Sequence, residues 1–369
     1  MRPSGVYDTN YIQAQALFRT RVDKWWTWII IGVLLLVPLL SKEGPLGLEL
    51  VSLSVLNIMT TGGILLISVT GLNLLLGYTG QISLGQAAFM MVGAYTGAVL
   101  ARQTSISFMF ALPVAALAAG VVGLAFGLAS LRVKGFYLAM ATLAAQFIIP
   151  WAINSYRGDW VNLGKGNPLP VPKASIFGLH ISSNVDEYYL VLVFVFLTAA
   201  AARNLIRSRV GRAWISIRDN DLAAEQLGIN VFRYKVLAFF VSAVFAGIAG
   251  ALQAHVTRSV TDTSFTLETS IELLAMLVIG GAGFPLGPLF GVMFFMVMDR
   301  YVVDSLNEIL QDELPKLLTF LNPEYIPIGL PHFILGTLLA LFLIYEPRGL
   351  AYRWRILQAA WRLRPFSKA

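Results

Sequence analysis

Residues 50–101, LVSLSVLNIMTTGGILLISVTGLNLLLGYTGQISLGQAAFMMVGAYTGAVLA, contain no charged side chain between Glu49 and Arg102. A membrane-spanning helix needs about 20 apolar residues, because about 30 Å of hydrocarbon is covered at about 1.5 Å per residue. The run is long enough for two crossings, and the turn-prone Gly77-Tyr78-Thr79-Gly80-Gln81 breaks it between them. Outward from this pair, further apolar stretches fall at 25–41, 107–131, 135–154, 188–204, 235–254, 269–281, 286–303 and 328–346. The sequence therefore predicts an all-α, polytopic transmembrane helical bundle of about ten spans. Composition agrees: 57% of the 369 residues are hydrophobic, 13% are charged and mean hydropathy is +0.71. A water-soluble domain carries about 25% charge. With 12% aromatic residues and no polar low-complexity tract, disorder and collagen are excluded. The absence of cysteine excludes disulfides, thiolate metal sites and cysteine nucleophiles.

The net charge of +7 fits either nucleic acid or anionic lipid headgroups, and the placement of the cations decides between them. With the N-terminus inside, nineteen of the twenty-seven Lys and Arg residues fall on inner segments and eight outside. Cations flanking spans are retained on the cytoplasmic side, so both termini are expected in the cytoplasm, with no nucleic-acid partner. The short segments 269–281 and 286–303 fit two spans or a re-entrant pair, and either leaves the termini on the same side. The apolar run at 25–41 follows a long polar segment and lacks a small-x-small cleavage site, so it reads as a retained span. The chain then divides into a cytoplasmic segment 1–24, a transmembrane domain 25–346 and a basic tail 347–369. The domain includes a long external loop, 155–187, and a large cytoplasmic loop, 205–235. In the tail, Trp354, Leu357 and Trp361 recur at helical spacing beside Arg353, Arg355, Arg362 and Arg364, which suits a helix lying at the headgroups.

Chemistry has few candidates. Titratable groups near spans are Glu272, His255, His332, Asp299 and Arg300, all close to span ends. A proton-driven transporter keeps carboxylates or histidines in mid-membrane, and a membrane hydrolase needs a nucleophile with a base or metal. Neither constellation is present, no metal or cofactor set is expected, and no G-x-x-x-x-G-K-S/T phosphate loop exists. Uphill movement would draw its energy from a partner. Loop 205–235 offers a docking surface: Asp219 or Asn220 can cap a short helix over about 221–227, Asp221 lies in its first turn, and Gly228 can end it in the left-handed region. Ala224 and Gly228, one turn apart with Ala223 alongside, would leave a bare strip for another protein. The same spacing fits an interfacial helix that ties two spans together.

The stretch Gly211-Arg212-Ala213 through Ile217-Arg218-Asp219-Asn220-Asp221, then Ala223-Ala224-x-x-x-Gly228-Ile229-Asn230, resembles the coupling loop of branched-chain amino acid ABC transporter permeases of the LivM type. It departs at the first motif position, where Leu222 replaces an acid and Asp221 sits one residue earlier. The resemblance continues through Gly71-Leu72-Asn73, Gly77-Tyr78-x-Gly80-Gln81-x-Ser83-Leu84-Gly85, Gly135-x-Tyr137, Thr142-Leu143, Gly280-Gly281-x-Gly283, Gly287-Pro288-x-x-Gly291 and Glu346-Pro347-Arg348-Gly349-Leu350. It implies an importer in which this chain pairs with a sister permease in a heterodimer. Two ABC ATPase subunits hydrolyse ATP, and a periplasmic substrate-binding protein delivers the substrate. It also implies coupling through Arg212, Asp219, Asp221, Ala223, Ala224 and Gly228.

Asn73, Tyr78, Gln81, Ser83 and Gln86 crowd the break between two spans. They read either as a neutral lining through which a zwitterion passes or as hydrogen bonds between packed helices, and Asn57, Thr60 and Thr61 read the same two ways. Glu272 is a candidate for the outer mouth, although a charge this near a span end also snorkels to water. Loop 155–187 fits a contact for the binding protein or a lid on the outer surface. Related substrates such as urea, short amides or carboxylates, aromatic acids included, fit the same framework. A self-sufficient secondary transporter or channel would instead carry flux without an ATPase. On the importer reading, Gly228→Trp or Ala224→Arg is expected to leave the permease inserted yet uncoupled, as measured by uptake.

Overall fold

The computed structural model describes residues 21–41, 52–103, 107–130, 136–161, 167–173, 175–176, 179–181, 183–299, 336–337, 340, 342, 344–346 and 348–363. The expected span 328–346 and residues 1–20 of the N-terminal segment lie mainly or wholly outside these residues. Twelve α-helices are described: α1 Arg21–Leu36, α2 Leu53–Leu72, α3 Gln86–Gln103, α4 Phe108–Ser130, α5 Phe136–Val161, α6 Asn184–Arg207, α7 Arg209–Asp219, α8 Asp221–Gln226, α9 Val231–Thr257, α10 Leu267–Gly280, α11 Gly287–Val297 and α12 Leu350–Leu363. Two antiparallel ribbons of two-residue strands join them: β1 Leu169–Pro170 pairs with β4 Ser259–Val260, and β2 Ser175–Ile176 with β3 Leu179–His180. The fold is thus helical as expected, with these ribbons added.

Six helical segments among the described residues are long and apolar enough to cross a bilayer: Leu53–Gly77, Phe108–Leu128, Tyr137–Tyr156, Asn184–Arg207, Val231–Thr257 and Asp262–Gly280. Segments Ile31–Leu40 and Gly287–Val297 are apolar but shorter. The second half of the 50–101 run forms α3, which is less apolar and largely enclosed by other helices, with Ala87, Ala88, Met90, Met91 and Ala94 fully buried. Span starts are set by local chemistry. Ser183 closes a reciprocal capping box with Asp186 at the head of α6, and Asn230 accepts from the Arg233 amide at 3.0 Å at the head of α9.

Helix α9 is the axis of the bundle, 27 residues long or about 40 Å at helical rise. It packs against α3, α4 and α2, with Ala243, Ala246, Ala249 and Ala251 fully buried. Lipid tails are as apolar as these side chains, so the hydrophobic effect does not bring such helices together. Close backbone approach and dispersion do. A Cβ on Gly93 of α3 would lie 2.3 Å from the Gly247 carbonyl oxygen, and one on Gly250 of α9 would lie 1.9 Å from that of Met90. Helices α10 and α11 form a hairpin of the same kind, in which a Cβ on Gly280 would lie 2.0 Å from the Gly287 oxygen. Its turn is tight, with Gly281 at φ +106° and Gly283 at φ +82°.

Forcing a side chain between two backbones costs at least the upper end of the about 1–3 kcal/mol seen for overpacking. We expect Gly250→Leu to lower the melting temperature of the purified protein sharply and to reduce its folded yield. By contrast Gly32→Ala on α1, where a Cβ meets nothing within 4 Å, should be neutral or slightly stabilising.

Candidate coupling and translocation site

The break in the 50–101 run begins inside α2. After Leu72 the helix widens into one π turn, Asn73–Gly77, a feature found mostly as single bulges at functional sites. The helix end closes where the Gly80 amide donates to the Leu76 carbonyl at 3.0 Å and the Gln81 amide to that of Leu75 at 3.2 Å. Residues 81–85 then return into the bundle, because Gln86 Nε2 donates to the Ser68 carbonyl at 3.1 Å, more than two turns back along α2.

Helix α3 consequently starts among other helices, and its first amides need partners from their side chains. Thr142 Oγ1 accepts from the Leu84 amide at 3.0 Å, Ser270 Oγ from Ala87 at 2.9 Å and Gln146 Oε1 from Ala88 at 3.0 Å. Thr142 and Gln146 lie one turn apart on α5, so one helix face delivers both. Gln146 Nε2 donates onward to the Phe265 carbonyl at 2.8 Å, and Ser242 Oγ donates to Gln86 Oε1 at 3.3 Å. Asn73 holds the α10–α11 turn from both sides, donating to the Phe284 carbonyl at 3.0 Å and accepting from the Gly283 amide at 2.8 Å. A Cβ on Gly77 would meet Asn73 Oδ1 at 2.1 Å, so only glycine admits this clamp.

The structure thus separates the five residues expected at the break. Asn73 and Gln86 bridge helices, and Ser83, fully buried, accepts from the Gly85 amide at 3.4 Å. Tyr78 is buried. Gln81 differs: it is 2% exposed, and neither side-chain amide atom has a hydrogen-bond partner. It borders a cavity of about 610 Å³ that Thr79, Leu138, Arg218, Asn220 and Lys235 also line. Glu272 is half-buried on α10 and lines neither this cavity nor a second one at the opposite end of the bundle.

The cavity joins the break to loop 205–235. Asn220 is the cap of α8, its Oδ1 accepting from the Leu222 and Ala223 amides at 3.0 and 3.1 Å, and Gly228 follows the helix at φ +80°. Two fastenings hold the loop to α9: the Asp221–Lys235 ion pair at 2.5 Å and the Trp214 indole, fully buried, donating to the Tyr234 carbonyl at 2.9 Å. Arg212, Asp219 and Ala223 are exposed. Ala224 is not: at 1% exposure it faces this chain, so it cannot belong to an open strip with Gly228. The exposed face instead carries Leu222 at 67% and Leu227 at 78%.

One residue outside the expected set connects these parts. Arg218, at the end of α7, donates through its guanidinium to the Gly77 carbonyl at the end of the π turn. Gly283 lies against the same guanidinium, at φ +82°. On the other side of that turn Arg355 of α12 stacks over the Phe284 ring at 5.3 Å, and Trp354 lies 5.9 Å from Phe290. The tail helix is therefore docked on the α10–α11 turn. Arg218, Gln146 and Ser270 escape a sequence reading because their partners are remote backbone groups. The available signal was a polar side chain within an apolar helix, and for Arg218 its place just before a helix cap.

The family described as "Branched-chain amino acid transport system / permease component" matches residues 54–344. The high-affinity branched-chain amino acid transport system permease protein LivM of Escherichia coli K12 is 30% identical over 324 residues, covering 82% of this chain and 71% of the relative. The corresponding protein of Salmonella typhimurium LT2 is 29% identical, with the same coverage. A probable LivM of Methanocaldococcus jannaschii is 22% identical over 76% of this chain and 88% of its own. No solved structure gives a significant match. With its apolar helices, and with the family match running from the start of α2 almost to the tail helix, the chain belongs to the branched-chain amino acid transport permease family, as a multi-pass inner-membrane permease component of an ABC importer.

Proposed function

We infer that the chain carries branched-chain or related amino acids across the membrane as one half of a permease pair, driven by two ATPase subunits that dock on residues 219–228. A periplasmic binding protein delivers the substrate. ATP is bound and hydrolysed by the partners, and ten spans with both termini in the cytoplasm put the docking loop on the ATPase side. The excess of Lys and Arg on that side supports this topology.

The observation that carries the reading is the Arg218 joint. Closure of an ATPase dimer delivers force at α8, and a packed element transmits it as a rigid-body shift. From α8 the connection runs through Arg218 to the end of α2 at Gly77, then through Asn73 to the α10–α11 turn at Gly283 and Phe284. A displacement of α8 therefore bears directly on the break, where Gln81 borders the cavity. Gln81, with neither amide atom partnered, there faces a lining that also carries Arg218, Asp219, Asp221, Glu225 and Lys235.

Two variants separate docking from transmission in proteoliposomes containing both permeases, the ATPase subunits and the binding protein. Leu227→Asp alters an exposed side chain, so the protein should fold normally. It should lose binding-protein-stimulated ATP hydrolysis by about tenfold or more, as expected for a residue central to an interface. Arg218→Ala should retain hydrolysis and lower leucine uptake per ATP, because a charged hydrogen bond contributes about 1.5–3 kcal/mol. Ala224→Arg, buried as it is, should reduce folded yield. Unchanged hydrolysis in Leu227→Asp, or leucine uptake by this chain alone on an ion gradient, contradicts the reading.

A further inference from the structure

The second cavity, of about 400 Å³, lies where α2 and α6 begin and α9 ends, the opposite pole of the bundle from α8. Asn57, Thr60, Thr61, Glu187, Thr257 and Arg258 line it. At its edge Arg258 Nη2 donates to Glu187 Oε1 at 2.9 Å, the Glu187 side chain being 10% exposed and that of Arg258 42%. Arg258 ends α9 in the left-handed region, with φ 56° and ψ 13°, and is the sole residue other than glycine at positive φ among the described residues. A non-glycine residue held there costs about 1–3 kcal/mol, strain that clusters at binding and switch sites. The strain is fixed from outside the helix. The Val171 amide donates to the Arg258 carbonyl at 3.0 Å, and β1 pairs with the residues that follow. This described part of loop 155–187 therefore fixes the backbone from which the guanidinium extends.

We propose that this pocket binds the zwitterionic head of an α-amino acid, its ammonium on Glu187 and its carboxylate on Arg258, a site that rests on the importer reading above. Charge bookkeeping selects the ligand. A zwitterion that enters the existing ion pair leaves all four charges matched. A monoanion strands the enclosed Glu187 carboxylate, and a monocation brings no carboxylate to the guanidinium. The guanidinium presents a planar fork suited to a carboxylate, and its partial exposure lets it turn to meet one. The volume is within the range of about 300–1,000 Å³ typical of small-molecule sites. Its lining is hydroxyls and amides, with Val256 as an apolar member. The pocket consequently reads the head common to all amino acids and leaves side-chain selection to the protein that delivers them.

Displacement of radiolabelled leucine from the permease–ATPase complex in nanodiscs tests the site, with leucine amide, which lacks the carboxylate, and 4-methylpentanoate, which lacks the ammonium, as competitors. Ratios of affinities do not depend on the folded fraction, so a merely structural ion pair leaves them unmoved. Glu187→Gln should lower the preference for leucine over 4-methylpentanoate by about tenfold or more, and Arg258→Gln should do the same for leucine over leucine amide. Unchanged ratios in both variants, or no leucine displacement from the wild-type complex, overturn the site. Uptake of leucine delivered by the binding protein into proteoliposomes is measured in parallel. Uptake by wild type with unchanged ratios removes the pocket alone, whereas no wild-type uptake removes the importer reading and the pocket with it.

Discussion

A helix that stops inside a membrane bundle leaves backbone amides and carbonyls where no bulk water reaches them, and each such group requires a partner from the protein. The break between α2 and α3 is organised by that requirement. Thr142 and Gln146 from α5 and Ser270 from α10 satisfy the amides at the head of α3, and Arg218 satisfies the Gly77 carbonyl at the end of α2. The suppliers come from three parts of the chain, so satisfying one break joins α2, α3, α5, α10 and loop 205–235 into one hydrogen-bonded unit. The break is therefore a junction, and a shift in one member has to be accommodated by the rest.

That junction lies near one of two cavities at opposite poles of the bundle. At one end, α8 presents exposed leucines beside a capped and ion-paired base, the arrangement of a rigid contact. At the other, the Glu187–Arg258 pair closes a polar pocket where α2 and α6 begin. Helices α2 and α9 run between them and are packed through glycine and alanine contacts that leave little slack. A Cβ on Gly71 of α2 would already lie 2.5 Å from Phe245 Cβ of α9. Backbones this close transmit displacement instead of absorbing it, because close-packed interiors are only weakly compressible.

Several features were legible in the sequence for physical reasons that act locally. The apolar runs, the break at 77–81 and the short helix after Asn220 with its left-handed Gly228 follow from hydropathy, turn chemistry and capping. The orientation of small residues did not. Ala224 fits an exposed strip and a buried contact equally well by spacing, and its 1% exposure in the fold decides it. The uncharged run 50–101 likewise suggests two equivalent crossings, whereas α3, its second half, is less apolar than α2 and enclosed by other helices. Asn73 and Gln86 were recognised as polar groups at the break, yet their partners, Gly283 and Phe284 for one and Ser68 and Ser242 for the other, depend on which helices meet.

The absence of cysteine makes the central claim directly measurable, since Leu227→Cys creates a single thiol at an exposed position of the coupling face. In sealed, right-side-out vesicles a membrane-impermeant maleimide should leave this thiol unmodified. In inverted vesicles stripped of the ATPase subunits it should react fully, and restoring those subunits should protect it. Labelling from the outer surface, or labelling from the inner surface that the ATPase subunits do not diminish, would contradict a permease driven through α8.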